Sequence, residues 1–197
     1  MGEWSKEDYT SMDALCLDIL NSDWHDYRRA GKGEDRLLRT GWIEQLVEQW
    51  GLAASASPDT ETIAALQSLR SLMQRMVQTL LRNQALIEQD MAELNSYLNA
   101  APSQMLLVRE DERYLLQSVP FNPDWRWVLR EVALSFATLL TQHDATRVKL
   151  CENPDCRWVY YDESPYHNRR WCEDTCANLM RVRQFRARQR KNSSANS

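Results

Sequence analysis

Four of the five cysteines in this 197-residue chain fall in two close pairs. Cys151 and Cys156 have four residues between them, Cys172 and Cys176 have three, and fifteen residues separate the pairs. Two short turns that each present two sulfurs from one side are what tetrahedral zinc requires of a polypeptide. A catalytic zinc keeps three protein ligands and a water, whereas four cysteines fill every position, so the pattern predicts one structural zinc ion. The competing reading, disulfide pairing, suits an oxidising compartment. The opening residues Gly2 to Asp8 lack the basic and then apolar order of a secretory leader, and no apolar run is long enough to span a membrane, so a soluble, cytoplasmic protein is expected. Cys16 stands alone among apolar neighbours and reads as a small core residue. His167 lies between the pairs but is not needed as a ligand, and His25 and His143 are assigned no chemistry.

The cysteines sit in a segment whose charge differs from the rest. Residues 1–146 hold 13 Lys and Arg against 22 Asp and Glu, while residues 147–197 hold 11 against 6, so an acidic body carries a basic tail. From Ala177 to Lys191 there are six basic residues, Arg181, Arg183, Arg186, Arg188, Arg190 and Lys191, and no acidic one. On a helix, Val182 and Phe185 form a narrow apolar edge expected to dock on the zinc module, with the arginines flanking it. A short arginine-rich helix anchored by a metal suits phosphate contact, and arginine can also read guanine in the major groove. Arg169 and Arg170 extend the same candidate surface. DNA is the partner this predicts, the alternatives being a solvated or protein-binding helix, or RNA binding through Trp158, Tyr160, Tyr161 and Tyr166. Trp158 and Trp171 are also expected to cover the metal as a small aromatic core.

The elements that must position this module read as mainly α with one β-hairpin. A helix is expected within residues 12–29, with a break from Ala30 to Gly33. A second, capped by Thr40, carries Trp42 to Trp50 and stops at Gly51. After a linker at Ser55 to Ser57, Pro58 precedes a long helix whose apolar face runs from Ile63 to Leu80. A further helix from Leu86 to Leu98 ends before Pro102. Met105 to Arg109 and Arg113 to Val119 then change to strand period around a charged turn. Asp124 opens a last body helix that closes around His143. The organisation is a helical domain over 1–146, a zinc module with its basic helix over 147–191, and a disordered tail over 192–197.

Recognised catalytic arrangements are lacking: there is no Gly-rich phosphate loop, no Gly-x-Ser-x-Gly and no His-Glu-x-x-His, so no enzyme is expected. Asp18 and Asn21, three apart on an otherwise apolar helix, either line a ligand pocket or brace a neighbouring loop.

The segment Cys151-Glu-Asn-Pro-Asp-Cys156, Asp162-Glu-Ser164, Arg169-Arg-Trp-Cys172 and Cys176-Ala-Asn178 resembles the CGNR zinc finger family of bacterial proteins. In that family the finger follows a helical region called ABATE, and Leu17-Asp18-Ile-Leu-Asn21-Ser22 resembles that region's Leu-Asp-x-x-Asn-Thr signature. The chain departs from the naming tetrapeptide, reading Cys176-Ala177-Asn178-Leu179 where the family has Cys-Gly-Asn-Arg, which puts any contact of the family's arginine in question. The resemblance implies a bacterial, stress-induced transcription regulator; together with the basic helix this gives the expectation of a DNA-binding protein whose body senses a small-molecule effector or forms a homodimer. A zinc-stapled protein-interaction module is the alternative.

Overall fold

The computed structural model describes residues 12, 14–28, 32–52, 54 and 56–195, with side chains as far as Asn192. The readings of a leader-free start and of a break at Ala30 and Gly31 lie outside the described residues, as does Ser55 of the linker. Helices dominate: α1 (Leu15–Leu20), α2 (Trp42–Gln49), α3 (Thr60–Leu81), α4 (Glu88–Leu98), α5 (Trp125–Gln142) and α6 (Asp174–Ala195). The expected hairpin forms from β3 (Ser103–Glu110) and β4 (Arg113–Pro120), paired Leu107 to Leu116 at its centre. Two shorter antiparallel pairs accompany it, β1 (Asp23–His25) with β2 (Gly33–Asp35), and β5 (Val148–Leu150) with β6 (Val159–Tyr161).

α3 forms because Asp59 accepts a hydrogen bond from the Thr62 amide at 2.8 Å and Leu66, Leu69, Met73, Met76 and Val77 repeat on one face. That face packs with α1 and α5 into the main core around Leu72, Val132, Phe136 and Leu139. α5 starts at Asp124, whose carboxylate accepts from the amides of Arg126 and Trp127. Cys16 is wholly buried in this core, and burial pushes its thiol up to about 11, as befits an unreactive hydrophobe.

Three expectations about helix ends are corrected. The first helix stops at Leu20, well short of residue 29, because Ser22 Oγ donates back to the Ile19 carbonyl at 2.7 Å and Asn21 turns its amide elsewhere. The chain then continues as β1, which allows close approach of Gly33, where a Cβ would lie 3.0 Å from the Trp24 carbonyl oxygen. Thr40 does not cap α2; left-handed Gly41 precedes the helix and makes no side-chain cap. Finally α6 runs to Ala195, into the stretch expected to be a tail, since neither glycine nor proline interrupts it; Asn196 and Ser197 lie outside the described residues.

One buried ionic contact ties the body's layers together. Arg70, on the inner face of α3, donates from both terminal nitrogens to Asp35 at 2.7 Å and from one of them to Ser22 Oγ at 2.8 Å. The Arg70 guanidinium holds the Asp35 carboxyl below the usual carboxylate range.

The C-terminal strands are built into this body. Val148, Val159 and Tyr161 belong to the main core, and Tyr161 meets His143 edge to face at 5.8 Å. Asn21 closes the seam: its amide nitrogen donates to the Val159 carbonyl at 2.9 Å and its amide oxygen accepts from the Val159 amide at 2.8 Å. A side-chain amide thus pairs with β6 as another strand would. Asn21→Ala should leave both Val159 groups buried and unpaired, lowering stability by about 2–4 kcal/mol; urea unfolding of the zinc-loaded protein checks this.

Candidate metal centre

β5 and β6 bring the first cysteine pair to one end of their hairpin. Cys151 follows β5 and donates its amide to the Trp158 carbonyl at 2.8 Å, while the Cys156 amide closes a turn onto the Asn153 carbonyl at 2.9 Å. Arg157, in the left-handed region at φ 57°, then turns the chain back towards β6. The second pair spans the entry to α6, with Cys172 before it and Cys176 in its first turn. All four sulfurs lie within 4.8 Å of one another, and all four residues are buried. Cys156 and Cys172 are 3.6 Å apart at sulfur, Cys172 and Cys176 3.9 Å. Zinc–sulfur bonds of about 2.3 Å in a tetrahedron place sulfurs roughly 3.8 Å apart. Disulfides are excluded, as all five cysteines are free.

The electrostatics call for a cation. Hydrogen bonding from Cys156 and Cys172 pulls the Cys151 thiol far below its ordinary range, while the same cluster, Cys151 foremost, pushes Cys172 far above it. Such neighbours cannot all be thiolates unless a metal compensates their charge.

Around the sulfurs is a second core of Tyr27, Tyr160, Trp158, Trp171 and Leu179. The predicted cover by Trp158 and Trp171 is present; Tyr27, from the distant body, is an addition that local sequence could not reveal. Asn153 is fully buried and donates to the Tyr27 carbonyl at 3.3 Å and towards Cys176 Sγ at 3.5 Å. Its position in the Cys151-to-Cys156 turn was the available signal.

The loop between the pairs is organised by Asp162, which is fully buried. It accepts from Lys149 Nζ at 2.6 Å, from the Ser164 hydroxyl at 2.6 Å and from the Arg169 amide at 3.0 Å. Burial alone would raise its carboxyl, but these donors, Lys149 first, hold it at about 2.

The arginines proposed for nucleic acid divide into two groups. Arg169 turns inward, donating Nε to the Trp171 carbonyl at 2.9 Å and an Nη to the Cys172 carbonyl while stacking on Tyr160. Arg170 pairs with Glu152 and stacks on Trp171. Arg183 reaches back to Asp155 at 2.6 Å and to Asn153, clamping α6 to the first turn. These three brace the module. Arg181, Arg186, Arg188, Arg190 and Lys191 are exposed; Arg181 bonds the Asn178 amide oxygen at 2.9 Å. Val182 and Phe185 do not dock as expected: they are exposed, and Leu179, one turn nearer the start of the helix, makes the contact instead. Of the aromatics considered for RNA, Tyr160 and Tyr161 are buried and Tyr166 is open.

Asp18 and Asn21 are held by the protein itself. Asp18 accepts from the Trp50 indole at 2.8 Å, and Asn21 holds Val159 as described. Both side chains thus brace neighbouring segments.

Residues 13–143 match the ABATE family model, described as "putative stress-induced transcription regulator". The protein belongs to the ABATE family. Residues 147–189 match the CGNR zinc finger, so the cysteine cluster is a single structural zinc site. No curated protein is significantly similar to the chain. Where the finger family's tetrapeptide has arginine, Leu179 of this ABATE member packs against the metal cluster, and buried Ala177 replaces the glycine within a helix that tolerates it.

Two outcomes follow for the zinc finger. Cys172→Ser should abolish stoichiometric zinc, measured by elemental analysis, and remove the structure of the finger loop and α6 beyond β6, measured by amide exchange. Asp162→Asn should cost about 3 kcal/mol by stranding Lys149. Because the folded carboxyl titrates below the unfolded one, that deficit should be constant from pH 8 to pH 5, shrink below about pH 4, and vanish as the pH passes about 2, read by denaturant melts against pH.

Proposed function

We propose that the protein is a cytoplasmic bacterial transcription regulator that grips duplex DNA with α6, and that it works by binding and not by catalysis. The observation that supports this reading most is the way α6 is held. Cys176 and Arg183 fix one side of the helix to the zinc finger, and Leu179 packs beside them. At 100° per residue, Arg181 and Arg188 fall on the opposite side, flanking Phe185. Arg186, Arg188 and Lys191 have no carboxylate partner among the described residues. A rigid helix with outward guanidinium groups is suited to phosphate and to guanine edges. No described helix is long and apolar enough to cross a membrane. The family's description as a stress-induced regulator points the same way.

A fluorescence anisotropy titration on duplex DNA at several salt concentrations tests this. Binding should weaken steeply with salt, and the Arg181→Ala/Arg188→Ala double variant should reduce the slope of log affinity against log salt by about 2. Unchanged affinity in that variant, with zinc content intact, would remove α6 as the contact.

A further inference from the structure

The β3–β4 hairpin stands apart from the other described elements. Its strands pair with one another along their full length, and among the described residues neither makes substantial contact with another element. An isolated two-stranded hairpin is marginal in water, since a sheet needs a partner layer on its apolar face. Yet this one is apolar. The register puts Met105, Leu107, Leu116 and Tyr114 on one face, and these are between 59% and 71% exposed. On the other face Leu106 and Leu115 are 40% and 44% exposed, so the two faces are unequal.

We propose that the open face is a homodimer interface, with two copies laying their Met105, Leu107, Tyr114 and Leu116 side chains against each other across a two-fold axis. Such an interface must be self-complementary, and an uncharged apolar patch is. The one charge on this face, Arg109 at the rim, is engaged by Glu112 of its own turn at 3.8 Å, which leaves nothing to select an oppositely charged partner. The area also fits. At roughly 200 Å² for a whole side chain of this size, the four exposed fractions amount to about 540 Å². The bordering Ser103, Arg109, Ser118 and Pro120 bring this towards the roughly 800 Å² that each partner contributes to a standard interface. Two sheets packed this way shield the hairpin faces that single chains leave in water. The inference is independent of what α6 binds.

Light scattering after size exclusion of the full-length, zinc-loaded protein, at up to about 100 µM, tests it. The expected mass is that of a dimer. Leu107→Glu and Leu107→Lys should each weaken association at least about tenfold, and an equimolar mixture of the two should regain dimers by pairing opposite charges. Zinc content and thermal unfolding report whether each variant is folded; if either is not, Tyr114→Ser, near the hairpin tip, should weaken association in its place. A wild-type monomer at the highest concentration would overturn the proposal. So would a dimer that persists unchanged in the folded variants.

Discussion

Four thiols converging within 4.8 Å, in a buried setting, form an arrangement that like-charge repulsion would scatter without a cation between them. The zinc finger depends on this constraint. The first cysteine pair closes the β5–β6 end, the second starts α6, and the ion is the shortest connection between them. Beyond Arg183, α6 is exposed along its described length, so its direction is set by the sulfur cluster, Leu179 and the Arg183 clamp at its beginning. A long helix projected from a short anchored turn is rigid only if that turn is.

The metal alone would still leave the finger swinging on a single strand of chain. It does not swing freely, because a second set of contacts crosses from body to finger. Val148, Val159 and Tyr161 complete the helical core, Asn21 pairs with Val159 on both sides of its peptide, and Asn153 reaches the Tyr27 carbonyl. Two of these contacts are polar and fully buried, and so demand specific partners where apolar packing would accept several. The orientation of α6 is thereby tied to α1 and to the segment that follows it.

Charge is arranged with similar economy. The basic tail loses several of its cations to internal structure: Lys149 to Asp162, Arg170 to Glu152 and Arg183 to Asp155. Arg169 serves backbone carbonyls near Cys172. What remains outward is concentrated on α6. A net charge summed from sequence therefore overstates the surface open to a polyanion and conceals where it lies.

The metal ligands, the helical class, the β3–β4 hairpin and the capping role of Asp124 were legible in the amino-acid order, because each rests on local rules: ligand spacing, apolar period, turn charge and a side chain reaching the next amides. The ends of α1 and α2 were less so, since Asn21 and Gly41 act through a distant strand and a left-handed backbone that no periodicity reports. Which arginines are braces and which are free, that Val182 and Phe185 face solvent, that Tyr27 lies over the zinc cluster, and that Asn21 serves Val159 were decided by tertiary structure alone. The physical reason is that most of these depend on a partner between 18 and 138 residues away in the chain, or on which side of α6 the finger occupies. Spacing along a sequence specifies what a segment can become; only the packed chain specifies what each charged or apolar group meets.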